Sequence, residues 1–317
     1  MNTLVTERPL QALVESDLAS AYPGPGTTPD PAARFRLVSR LHRHYVAHLA
    51  GPEDFGTIPD LNADAEASTI ADAWLRWEDA QVDRGRLPSS AATFADWFTQ
   101  VGTAHTQPDF CAYLAHEATL QELAMFFLAE ELVDSRFDDL VALAQIGCGD
   151  DAKVTLAENY WDEMGEGDKA RMHSRLFEHS AVHMRAVLAE RRIHPHHVLS
   201  TEVLENASLV LMYGINRRLT PRSLGALGLM EFSAPDRFQA MVDGCTRLGV
   251  PEDVITYQRI HIHVDDKHGS EWLHQVLTPL VARSEELLRE VALGVLTRER
   301  VANAYYARVW AQMRAAR

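Results

Sequence analysis

Tyr257-Gln-Arg-Ile-His-Ile-His-Val-Asp-Asp-Lys-His-Gly-Ser-Glu-Trp272 sets His261, Asp265 and His268 at spacings of four and three. In a helix these spacings put three side chains on one face, about one turn apart, so that a single site sees all of them. Imidazole, carboxylate and imidazole make a mixed nitrogen and oxygen donor set, which suits iron, manganese or zinc better than calcium or magnesium. His263, Asp266 and His274 fall off that face. Read alone, the segment also fits a solvated polar face on which histidines pair with acids.

Outward from this stretch the apolar pattern stays helical. Phe35, Val38, Leu41, Tyr45 and Leu49 recur at three- and four-residue intervals, and nothing alternates at period two. Helices are expected at 65–82, 92–103, 120–133, 137–144, 152–164, 168–192, 197–217, 221–232, 234–248, 251–283 and 285–315. Ser200 and Ser233 are expected caps, with Pro235 near a first turn. The prolines and glycines before Asp30 predict a flexible lead over 1–30, followed by a helical extension over 31–105 and a main domain over 106–317. Short connections imply antiparallel helices in a bundle that buries ligands between facing helices.

The 317 residues are 46% hydrophobic, enough for a large core without a disulfide or metal staple. Cys111, Cys148 and Cys245 have no paired spacing and read as ordinary buried thiols of a reducing compartment. A formal charge of −15 argues against nucleic acid or an anionic membrane as partner and leaves a small-molecule substrate as the default. No apolar run approaches the ~20 residues of a membrane span, and residues 1–20 lack a secretory pattern, so a cytoplasmic protein is expected.

Two more segments carry carboxylate and imidazole. In Glu158-Asn-Tyr-Trp-Asp-Glu-Met-Gly-Glu-Gly-Asp, Glu163 stands ten residues before His173, with Gly165 and Gly167 between them. An unbroken helix would put the two side chains on different faces, so a glycine-permitted break is needed for them to meet. The other is Gly228-Leu-Met-Glu231-Phe-Ser-Ala-Pro235, where Glu231 by itself reads as a carboxylate near a helix end. His194-Pro-His-His197 reads as an interhelical turn, and Arg217, Arg218 and Arg222 as a solvated basic turn.

The three segments, in this order, resemble the haem-oxygenase-like diiron oxidases and oxygenases over roughly 109–283. The resemblance implies a haem-oxygenase-like helical bundle behind the N-terminal extension. It implies two ferrous, non-haem irons held by Glu163, His173, Glu231, His261, Asp265 and His268, with O2 as co-substrate. Some relatives that oxygenate nitrogen carry one more glutamate on the preceding helix, and Glu131, or its neighbour Glu130, is the residue here that would match. Asn159, Tyr160, Asp162 and Asp266 stand close enough in sequence to orient ligands, or else serve as caps and surface groups. Trp161 and Trp272 read as packing residues.

The activity implied is O2-dependent oxidation of a small amine, amino acid or aliphatic acid in specialised metabolism. N-oxygenation, desaturation and oxidative carbon–carbon cleavage are all open, as is the use of an external electron donor. Two other readings stand beside it, a metal-free enzyme of the same fold and a non-catalytic iron-binding or interaction protein. The helices of 31–82 would serve either a homodimer interface or a cover for the bundle.

Overall fold

A computed structural model describes the backbone of residues 7–24 and 26–316, and the side chains of 13–24, 26–194, 197–262 and 267–316. Every regular element among the described residues is helical. Four helices form the N-terminal part: α1 (Glu7–Ala21), α2 (Pro31–His48), α3 (Leu61–Gln81) and α4 (Phe94–Ala104). The bundle follows with α5 (Pro108–His116), α6 (Leu120–Asp134), α7 (Phe137–Ala144), α8 (Asp150–Glu163), α9 (His173–Glu190) and α10 (Thr201–Ile215). It ends with α11 (Thr220–Arg247), α12 (Thr256–Glu271), α13 (Thr278–Val281) and α14 (Glu285–Ala315).

Local chemistry sets the helix starts. Asp30 accepts the amide of Ala32 with Pro31 in the first turn of α2, and Thr119 and Glu122 close a reciprocal capping box on α6. The Ser200 hydroxyl accepts the amide of Val203 at the head of α10.

The 28-residue α11 is the spine and packs against α5, α12 and α14. Two apolar clusters hold the molecule together. One joins Leu37, Trp74 and Phe98 of the N-terminal helices to Leu209, Trp272 and Val291, and the other gathers Phe110, Phe126, Phe177, Phe238 and Tyr305. Each such fully buried side chain contributes roughly 1.5–3 kcal/mol. Along α11 the first cluster ends at Met230 and the second begins at Ala234, while α12 runs from Tyr257 of the second towards Trp272 of the first. Glu231, His261 and His268 therefore lie where the two cores meet.

Several expectations change. Residues 7–21 of the expected flexible lead are helical, with Val14 and Ala21 buried and Asp17 bonded to Arg36. The expected break at 233 is absent and α11 runs through Pro235. The Ser233 hydroxyl donates back to the Leu229 carbonyl at 2.7 Å instead of capping a new helix. Pro235 has no amide for the carbonyl of Glu231, so the backbone is loosened at the turn that carries this carboxylate. The expected helix over 251–283 is divided: a 3-10 turn leads into α12, and a π turn at Trp272–Leu277 separates α12 from α13. Pro279 offers no amide to the Gln275 carbonyl, and the Thr278 hydroxyl donates five residues back to Leu273. Trp161 is exposed, while Trp272 is fully buried.

Candidate metal centre

Glu163 closes α8 and His173 opens α9, and the chain reverses between them. Gly165, Glu166 and Gly167 all adopt positive φ, at 63°, 55° and 89°. A Cβ on Gly165 would lie 2.5 Å from the backbone carbonyl carbon of Arg171, so the reversal requires glycine there. The outcome is a contact of 3.0 Å between Glu163 Oε2 and His173 Nδ1, with both side chains buried. The approach lacks the alignment of a hydrogen bond, and His173 Nδ1 is left as a buried polar atom without a partner.

His261 completes this group, its Nε2 3.8 Å from Glu163 Oε1. Its Nδ1 lies 2.8 Å from the Tyr257 carbonyl oxygen. A carbonyl only accepts, so Nδ1 carries the proton and Nε2 presents its lone pair. Burial is the main force lowering the His261 pKa, against the opposing pull of Glu163. Burial pushes the Glu163 carboxyl upward, but the His173 and His261 imidazoles set against it outweigh that and hold it down at about 2. Ligating atoms of Glu163, His173 and His261 all lie within 4.8 Å of one another.

A second group forms beside it on α8, α11 and α12, with His268 two turns beyond His261. Asn159 Nδ2 donates to Glu231 Oε1 at 3.0 Å and stands 2.6 Å from His268 Nδ1, while Glu231 Oε2 lies 3.7 Å from that nitrogen. His268 Nε2 meets Asp162 Oδ2 at 2.9 Å. Burial alone would lower the His268 pKa, but Glu231 and then Asp162 raise it to about 9. α12 comes this close to α11 because of Gly269, whose Cβ would fall 2.8 Å from the Phe232 Cα. Asp265 stands between His261 and His268 in the register of α12; its side chain, like those of His263 and Asp266, lies outside the described residues.

These residues fit a metal. His173 Nδ1 and Asn159 Oδ1 are buried without partners, and the outer nitrogens of His261 and His268 are each held by an oxygen acceptor, as metal-bound histidines require. Glu131 pairs with Arg185 of α9, while Glu130 pairs with Arg237 and accepts from Tyr305. Arg217 bonds the carbonyls of Leu143 and Ile146, Arg218 pairs with Asp72, and Arg222 pairs with Asp79 and Glu290. All three arginines tie the fold together.

Beside the ligands lies a small cavity of about 20 Å³, bounded by Glu231, His261, Phe137 and Phe238, with Asp134 and Arg237 in its wall. The sequence reading missed these last two. Their one visible signal was charge within the apolar turns of α6 and α11. Burial first, then the charge of Glu130, lifts the Asp134 carboxyl to about 7 despite Arg237. Asp138 was also missed; burial, then Asp139 and Glu163, raise its carboxyl to about 6.

Buried carboxylates and imidazoles between the helices of an all-α bundle make up a donor set that could hold a metal. The chain belongs to the family described as iron-containing redox enzymes, haem-oxygenase-like in fold, whose profile matches residues 124–303. That span includes every residue of the two groups. The protein is thus an iron-containing oxidoreductase. No curated protein matches the chain significantly.

Proposed function

We propose that this protein is an O2-dependent, non-haem diiron oxidase or oxygenase acting on a small amine, amino acid or aliphatic acid. The observation that supports it is the doubled arrangement along α12, with one imidazole facing Glu163 and His173 and another, two turns on, facing Glu231. One iron would be held by Glu163, His173 and His261, the other by Glu231 and His268, with Asp265 placed by register to serve either. Bound as ferrous ions, the pair would supply electrons for the reduction of O2.

The chain's own groups do the rest. Tyr257 and Asp162 fix the tautomers and ring planes of His261 and His268. Phe137, Phe238 and Met230 give the cavity beside the ligands an apolar lining, which would widen to seat the apolar body of a small substrate. Asp134 and Arg237 offer one charged end, to which a substrate ammonium or carboxylate would be oriented. An external reductant would reach the site across the groove bounded by Asp162, Glu166, Arg171 and Lys267, which opens on His173. In this reading residues 106–317 are the catalytic unit, and the helices before them cover it through their shared core.

Anaerobic reconstitution with ferrous iron, followed by O2 pulses against a panel of amines, amino acids and fatty acids, tests the proposal. Two irons per chain and substrate-dependent O2 uptake are expected. Stable iron without O2 uptake would instead favour iron binding or storage, and failure to retain iron would sink the reading.

A further inference from the structure

The last turns of α2 and the first turn of α3 hold another set of metal-type donors. His44 and His48 are one turn apart, with ring centroids 4.6 Å from each other. Both direct Nε2 at one atom, Asp64 Oδ1, at 3.5 Å from His44 and 2.9 Å from His48. The three ligating atoms lie within 4.8 Å of one another. We propose that His44, His48 and Asp64 bind a divalent cation of the zinc class, which ties α2 to α3.

The distances carry this inference. A tetrahedral ion with bonds of 2.0–2.1 Å holds its donor atoms about 3.3 Å apart, and the two observed separations bracket that value. A hydrogen bond accounts for only one of them. His48 is bonded to Asp64, while His44 stands too far from the same oxygen for a good bond and has its ring against that of His48. A single cation would satisfy both rings and the carboxylate together.

Two imidazoles and one carboxylate favour zinc-class ions over calcium or magnesium. The His44 side chain is 11% exposed, that of His48 23% and that of Asp64 40%, so the donors are sheltered but leave one position open to water. The ion would also close the connection from His48 to Asp64, which contains Pro52, Gly56 and Pro59 and forms only a short 3-10 segment, Pro52–Thr57. Fixing the ends of such a loop removes conformational freedom from the unfolded chain. Glu66 of α3 and Arg40 of α2 pair with each other at 2.8 Å. This site shares no residue with the iron-type groups and does not depend on the diiron reading.

Titration of the full-length, ferrous-loaded protein with Co2+ under anaerobic conditions tests the proposal, with Zn2+ as competitor. The wild type is expected to bind one further equivalent of Co2+, with the intense visible bands of a four-coordinate ion that Zn2+ erases. His48→Ala and Asp64→Asn should each lose that equivalent and those bands while keeping the iron content of the wild type, which also reports that they fold. Zn2+ should raise the Tm of the wild type and leave that of His48→Ala unmoved. Equal Co2+ stoichiometry in all three proteins, or a wild type without the bands, would overturn the proposal.

Discussion

Asp162 Oδ2 sits 2.9 Å from His268 Nε2 and thereby turns the other nitrogen of that ring, Nδ1, towards Glu231 and Asn159. A carboxylate behind a ligating imidazole fixes its tautomer and makes it a better donor. Asp162→Asn keeps the shape but loses the charge. Iron affinity should fall by roughly 10- to 100-fold, as measured by ferrous titration against a chromophoric chelator. Unchanged affinity would mean that the Asp162 contact does not tune the site.

The ligands themselves give a harsher test. His261→Ala, Asp265→Ala and His268→Ala should each sharply lower bound iron, because their spacings of four and three set the three positions on one face of α12, where His261 and His268 are buried. Metal analysis of the purified variants decides the matter. Wild-type iron in all three would remove the basis for a centre on this helix.

Gly269→Ala probes how the fold brings Glu231 to His268. Alanine gains about 1 kcal/mol of helix propensity over glycine. Its methyl, however, meets the Cα of Phe232 at 2.8 Å and its backbone nitrogen at 3.2 Å, which a rotamer change does not relieve. Overpacking of this kind costs about 1–3 kcal/mol. A lower urea midpoint together with reduced iron content is expected; a midpoint equal to or above the wild type would show that α11 and α12 part without cost.

The periodicity of apolar residues was enough to predict the helices other than α1 and α5, and the order of Glu163, His173, Glu231 and the His261, Asp265 and His268 positions was enough to predict the family. Other features depended on contacts that no local pattern reports. Ser233 looks like a cap but bonds backwards, because the core on both sides of Pro235 holds α11 in one piece. Asn159 and Asp162 read equally well as surface groups until α12 is placed against them. Asp134 and Arg237 come from different helices and become pocket walls only in three dimensions. The reversal between Glu163 and His173 was readable from its glycines, though its positive φ at Glu166 was not.

Glu131, or its neighbour Glu130, is the residue the family resemblance singles out as an added ligand, yet the Glu131 carboxylate pairs with Arg185, while Asp134 shares a cavity wall with Glu231 and His261. Glu131→Gln should therefore leave the iron stoichiometry of the wild type intact and cost at most about 1 kcal/mol, the scale of a partly exposed ion pair. Loss of one iron per chain in this variant would instead return Glu131 to the centre.

Acid should weaken the fold through His105, which ends α4 and is only 4% exposed. Burial, reinforced by the charge of Arg298, holds its pKa down at about 4 against an ordinary 6.5, while a contact of 3.2 Å with Asn303 offsets part of this. The unfolded chain thus binds the proton more readily than the folded one between those values. Stability from this residue is complete above pH 6.5 and is lost as the pH falls through 4, with roughly 2 kcal/mol gone by pH 5. His105→Gln keeps a polar group near Asn303 but cannot take up the proton. Urea unfolding at pH 7 and pH 5 should show a smaller acid-induced loss in this variant than in the wild type, and equal losses would show that His105 is not buried in its neutral form.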